Sequence, residues 1–184
     1  MSKYGKNRGF YSINYTTFYF TASESVNKIR ELNKFFEKDD ISLEDEYIVK
    51  SIVYNTQRLA ITTIIFSAMT LESYINYYGS QKLPKNYFEK HLDNLDLKSK
   101  WIVLPRLITG QEIDLGGKAF ALFSELISLR NKLVHDKYKI IKESLPEEKD
   151  SLWETDAYSS IECVKLMINE LKKIDNSVFT EWIE

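Results

Sequence analysis

The sequence predicts an all-α protein, a single domain arranged as a bundle of four to five main helices, and three observations carry that expectation. Helix breakers are sparse: across 184 residues proline occurs only at 84, 105 and 146, and glycine only at 5, 9, 79, 110, 116 and 117. Between those breaks the apolar residues recur at three- and four-residue spacing, the signature of one face of a helix. The chain is also long enough, at 43% hydrophobic and 28% charged residues, to bury one sizeable core.

Taken in order, the first twenty residues include Y-S-I-N-Y-T-T-F-Y-F, an aromatic and β-branched run that suits a short strand, an extended arm or the lead-in to a helix. We divide the chain into an aromatic arm or extension over 1–22, a helical domain over 23–176 and a tail over 177–184. From Ser23, the spacing of Val26, Ile29, Leu32, Phe35 and Phe36 predicts a first helix that ends at the polar pair Asp39 and Asp40. A second helix is expected from Ser42 to about Gly79, with Glu44, Asp45 and Glu46 at the positive end of its dipole. Such a helix would be roughly 55 Å long, so a kink or short break is anticipated. Its later half, L-A-I-T-T-I-I-F-S-A-M-T-L-E-S-Y-I-N-Y-Y, is apolar nearly all round and fits the middle of a bundle. A membrane span is the rival interpretation, disfavoured by Glu72, Asn76 and five Ser or Thr, since a carboxylate in a span costs about 2.5 kcal/mol or more.

A short helix is expected around N-Y-F-E-K-H-L-D-N, and then L-D-L-K-S-K-W-I-V-L-P-R-L-I-T-G predicts another, kinked or split by Pro105 and stopped at Gly110. The helix after Gly116 and Gly117 carries Leu122, Leu126, Leu129 and Leu133 in one stripe, with Phe123 and Ile127 beside it. K-E-S-L-P-E-E-K-D-S has the composition of an exposed loop. A last helix is expected from Asp156 to Lys173, with Ile161, Val164, Met167, Ile168 and Leu171 inward and Leu166 at the flank.

A formal charge of -2 means that any nucleic-acid contact must use a local basic patch. The single cysteine, Cys163, excludes an internal disulfide and a Cys-based zinc cluster, fits a reducing compartment and is expected to be buried. The basic N-terminus has no apolar run behind it, so a cytoplasmic location without a secretory leader is expected. No Gly-rich phosphate loop, zinc-spaced His and Cys cluster or G-x-S-x-G elbow occurs, so no cofactor and no metal ligands are predicted.

The chemistry-bearing stretch is S-L-R-N-K-L-V-H-D over 128–136. Ser128, Asn131 and His135 line up at i, i+3 and i+7 on a face separate from the leucine stripe, while Arg130 lies about 140° round from His135. A histidine exchanges protons near neutral pH, a guanidinium grips phosphate oxygens and an asparagine amide can orient either group. That set suits phosphodiester cleavage without a metal. It equally suits capping of a helix C-terminus, where such side chains satisfy exposed carbonyls.

L-R-N-K-L-V-H resembles the R-x4-H signature, with Asn after the Arg, of the HEPN superfamily of small α-helical domains, and A-M-T-L-E-S-Y-I-N-Y-Y-G resembles that family's central helix. The similarity spans 23–175, although these two segments alone carry it. The resemblance implies a homodimer in which two motifs form one composite cleft, and a metal-independent endoribonuclease of toxin or anti-phage type whose RNA substrate is cut by its own 2'-hydroxyl. An antitoxin or inhibitor protein is a further implied partner, and a membrane is not. Carried over, His135 is the general acid and base, Arg130 stabilises the phosphorane and Asn131 positions substrate or imidazole. Glu72, Asn76, Ser128 and Lys132 are candidate supporting or substrate-binding residues. Related toxins that carry R-x4-H-x-Y have a modifiable tyrosine, but here Tyr138 falls one residue too far along. Other members keep the fold as non-catalytic modules that bind nucleotide, RNA or a protein, which is the alternative reading.

The remaining features have plainer explanations. Glu72 either faces Arg130 across the bundle or is a structural ion pair or exposed carboxylate, and Asn76, one turn on, shares its face. His91 is expected at the surface. Lys132, Lys137 and Lys139 form with Arg130 a local basic cluster, suited to RNA backbone or simply solvated. The arm bearing Lys3, Lys6 and Arg8 either stacks bases or packs on the protein.

Overall fold

A computed structural model describes residues 14–36, 46–135 and 150–183. These form α1 (Asn14–Phe36), α2 (Glu46–Lys82), α3 (Lys85–His91), α4 (Leu97–Thr109), α5 (Lys118–Val134), α6 (Asp150–Ile174) and a closing 3-10 turn, Glu181–Ile183. The all-α expectation holds, with no strand among the described residues.

The anticipated break in the second helix does not occur: α2 runs unbroken for 37 residues and lies in the middle of the fold, against α1, α3, α4, α5 and α6. Its buried positions, Ala60, Ile64, Ala68, Leu71, Ile75 and Tyr78 among them, fall at helical spacing and form the axis of one hydrophobic core. Two buried hydroxyls on this helix are satisfied locally, Thr63 Oγ1 donating to the Leu59 carbonyl at 2.9 Å and Thr70 Oγ1 to the Phe66 carbonyl at 2.7 Å, whereas the buried Ser67 hydroxyl has no hydrogen-bond partner. Small buried side chains, Ala60, Thr63, Ser67 and Ala68, let neighbouring helices approach closely. By length and composition this is the one described helix able to cross a membrane, yet half of its most apolar window is buried inside the fold. Near its end Gly79 is a matter of space: a Cβ there would lie 2.5 Å from Phe88 Cε2 of α3 and 3.1 Å from Leu104 Cδ1 of α4.

The two ends of the described chain depart most from the sequence expectation. Helix starts at Asn14, well before Ser23, and the aromatic run supplies its first turns. Tyr15 and Tyr19 are buried, and both rings meet Trp182, with centroids 4.9 and 5.3 Å away. Trp182 also stacks near Tyr74 of α2 at 5.6 Å, its Nε1 donates to the Phe179 carbonyl, and the Tyr19 hydroxyl donates to the Ile183 carbonyl at 3.0 Å. Residues 178–183, expected as a tail, therefore help build the core. Neighbouring aromatic pairs strengthen this end beyond their area burial. Lys3, Lys6 and Arg8, like Asp39, Asp40, Ser42, Glu44 and Asp45, lie outside the described residues, as do the side chains of Phe35, Phe36 and Glu46.

A polar lock sits beside this aromatic end. Asp175 accepts from the Tyr78 hydroxyl at 2.9 Å and from the amide of Ser177 at 2.9 Å, and pairs with Lys82 at 3.2 Å. Burial alone would raise the Asp175 carboxyl, but the Ser177 hydroxyl and amide, the Tyr78 hydroxyl and the Lys82 ammonium outweigh it and hold the group well below the usual carboxylate range.

Pro105 neither splits nor ends α4, which continues to Thr109 and stops where Gly110 takes a left-handed φ of 74°. The amide that Pro105 lacks costs a helix about 3 kcal/mol, and burial of Trp101, Leu104 and Pro105 itself offsets it. On α5 the innermost positions are Ala119, Phe123 and Leu126, with Leu122, Leu129 and Leu133 half-buried at the margins, so the core face is turned slightly away from the expected stripe. On α6 Ile161, Val164, Met167, Ile168 and Leu171 are inward and Leu166 flanks them, as the spacing predicts, although the helix begins earlier, at Asp150. Cys163 is fully buried, and desolvation raises its thiol far above the ordinary range, so it is no nucleophile.

Trp182→Ala should destabilise the protein by about 3 kcal/mol or more in denaturant unfolding, the usual cost of emptying an aromatic core site. Asp175 contributes stability that is fully present above its unfolded pKa near 4 and is lost as pH falls toward its lower folded value. Asp175→Asn should accordingly flatten the acid limb of a stability profile measured between about pH 5 and pH 2.

Candidate functional site

The helix that carries the R-x4-H stretch is α5. Gly117 is its N-cap, and in the turn before it Asp114 accepts from the Gly116 amide at 3.0 Å. It ends at His135, whose backbone amide still donates to the Asn131 carbonyl at 2.9 Å while its own backbone, at φ -111° and ψ 18°, leaves the helical region. Phe123 and Leu126 fix one face in the core. Rotation by the helical repeat then presents Ser128, Asn131 and His135 to solvent, with Arg130 half-buried beside them.

A groove of about 450 Å³ runs along this polar face. Ile127, Ser128, Arg130 and Asn131 of α5 form one side, Glu72 of α2 a second, and Asp96, Leu97 and Lys98 at the start of α4 a third. Glu72 is thus an exposed carboxylate opposite Arg130, and the Arg130 guanidinium donates to the Asn131 side-chain oxygen at 3.1 Å. His135 is exposed one turn beyond Asn131 and is not part of the groove wall.

Two other candidates face elsewhere. The side-chain oxygen of Asn76 accepts from the Lys100 ammonium at 2.8 Å. Lys100 is only 5% exposed, and its other charged neighbour, Asp93, is 3.9 Å away. Asn76 therefore binds α4 to α2 behind the groove, because a buried ammonium needs an acceptor more than an asparagine needs a substrate. Lys132 is exposed and lies on the α6 side, where its charge tempers the rise that burial and Glu125 impose on the Asp156 carboxyl. His91 is at the surface, its ring 5.3 Å from that of Tyr87. Lys137, Tyr138 and Lys139 lie outside the described residues.

Sequence reading missed the α4 wall. Lys98 comes from a segment about thirty residues upstream of Arg130, and no spacing rule links the two. Asp96 caps α4 by accepting from the Ser99 amide at 3.1 Å and the Ser99 hydroxyl at 2.5 Å. Those bonds hold its carboxyl below the ordinary value. Among the described residues no three His, Cys, Asp or Glu side chains cluster as metal ligands. Chemically, the groove offers one forked cation, one point cation, an amide, a hydroxyl and one uncapped carboxylate, a set that can hold a phosphate and still discriminate its surroundings.

Asn76→Ala should cost about 1–3 kcal/mol in denaturant unfolding, since it strips a buried ammonium of its nearest acceptor. In an Asn76→Ala, Lys100→Met double variant most of that loss should be recovered.

The chain matches no protein-family profile, no curated protein and no solved structure.

Proposed function

We propose that the protein is a HEPN-type endoribonuclease that cleaves RNA without a metal ion. The observation that supports this reading above others is the groove in which Arg130, Asn131 and Ser128 face Glu72, with His135 exposed at the end of the same helix. In this chemistry the ribose 2'-hydroxyl attacks the adjacent phosphorus, a P–O2' bond forms and the P–O5' bond breaks. His135 accepts the 2'-hydroxyl proton as general base, and a protonated imidazole returns one to the departing 5'-oxygen. Arg130 stabilises the charge that accumulates on the phosphorane, and Asn131, already bonded to Arg130, holds the guanidinium or the ribose in place. The products are a 2',3'-cyclic phosphate and a 5'-hydroxyl.

One chain brings a single His135 to this helix end, and the two proton transfers are most simply divided between two imidazoles. A homodimer that joins the two α5 ends in one cleft is therefore part of the proposal. A cytoplasmic toxin or anti-phage role, with an antitoxin or inhibitor protein as partner, follows from the same resemblance. A second reading, a non-catalytic module that binds RNA, nucleotide or protein, is favoured by one observation: His135 stands outside the groove-lining set.

Purified protein incubated with total RNA in EDTA should produce fragments ending in 2',3'-cyclic phosphate. His135→Ala should lower the rate about 100-fold or more, and Arg130→Ala by a similar factor. Cleavage that persists unchanged in His135→Ala, or that chelation abolishes, would overturn the catalytic assignment. Retained RNA binding without cleavage would favour the module.

A further inference from the structure

We propose that Lys98, on α4, is a second backbone-binding cation of the groove, acting with Arg130 to hold a single-stranded nucleic-acid chain across it. The inference deepens the ribonuclease reading by naming how its substrate is gripped, and it rests on that reading only for the identity of the sugar.

Lys98 and Arg130 line the same groove from different helices. Several described lysines answer to an acid, Lys82 to Asp175, Lys118 to Glu162 and Lys173 to Glu170 among them. Lys98 forms no ion pair or side-chain hydrogen bond among the described residues, although Asp96 is only two positions away. The reason is geometric: both oxygens of Asp96 turn to Ser99 in capping the helix. The other cation on that helix, Lys100, points inward to Asn76. Capping and burial thus consume the neighbouring groups and leave the Lys98 ammonium free at the groove.

Four charged side chains line the groove, Lys98 and Arg130 against Glu72 and Asp96, and because the Asp96 oxygens are turned to Ser99 the two cations keep donors for an anionic ligand on facing walls. Cations on facing walls suit an extended chain of phosphates better than one isolated phosphate, because each can neutralise a different charge along the strand. Lys98 does not touch the reacting atoms in this scheme. It is a binding residue, and its loss should appear in affinity and KM while kcat is largely retained.

The test measures fluorescence anisotropy of a labelled 2'-deoxy oligonucleotide of about ten nucleotides, which lacks the attacking hydroxyl and cannot be cut. Lys98→Ala should weaken binding about fivefold or more at low salt and reduce the slope of log affinity against log salt by about one. Lys98→Arg should restore both. Lys118→Ala, at the other end of α5 and about 18 Å along its axis from Arg130, should change neither. Equal affinity and salt slope in wild type and Lys98→Ala would overturn the proposal, as would a wild type that binds no oligonucleotide. Weakened binding in Lys98→Ala, with no RNA cleaved by the wild type, would sustain Lys98 and sink catalysis. Cleavage by a wild type whose KM is indifferent to Lys98→Ala would do the reverse.

Discussion

The fold depends on one constraint: α2 has protein on most of its sides, so the polar groups it carries must largely be satisfied within the fold or turned to solvent. It back-bonds Thr63 and Thr70 to carbonyls one turn earlier and places Glu72 at the solvent opening between α4 and α5, and it leaves the buried Ser67 hydroxyl without a partner. Small side chains at Ala60 and Ala68, and the bare Cα of Gly79, then permit the close helix packing that excludes water from the core. The same arrangement explains why a segment apolar enough for a membrane is found against α1 and α6.

The polar groove is a by-product of this packing. Because α4 is pinned to α2 through Lys100 and Asn76, its first turn stands at a fixed distance from the polar face of α5. The gap between them is held open by buried contacts further along both helices, Trp101 against Phe123 among them, with ring centroids 6.0 Å apart. A binding face on rigid helices loses less entropy on engaging a ligand than one on loops.

Helix class, the inward face of α6 and the burial of Cys163 were legible because each rests on local periodicity or on the habits of one residue type. Other features were hidden because they depend on partners distant in sequence. Nothing in Y-T-T-F-Y-F announces Trp182, so a strand, an arm and a helix lead-in all suit Tyr15 and Tyr19 until the residue that buries them is in view. Pro105 is a breaker by local rules, and tertiary burial overrides them. In the groove, Arg130, Asn131, Ser128 and Glu72 were marked from short segments, whereas Lys98 needed the third dimension. Asn76 was selected for its place one turn after Glu72, but the charge that claims it lies on another helix.

The aromatic clasp bears on the order of assembly. Tyr19 and Ile183 are 164 positions apart, and their hydrogen bond lies inside a cluster that also needs Tyr74 from the middle of the chain. Loop closure over so long a span is slow compared with the pairing of α1 and α2, which are neighbours in sequence. During synthesis, α1 and α2 can collapse together early, but their aromatic end stays uncovered until residue 183 has left the ribosome. Synthesis of the roughly one hundred residues between Tyr78 and Ile183 thus proceeds with this aromatic surface still without its cover.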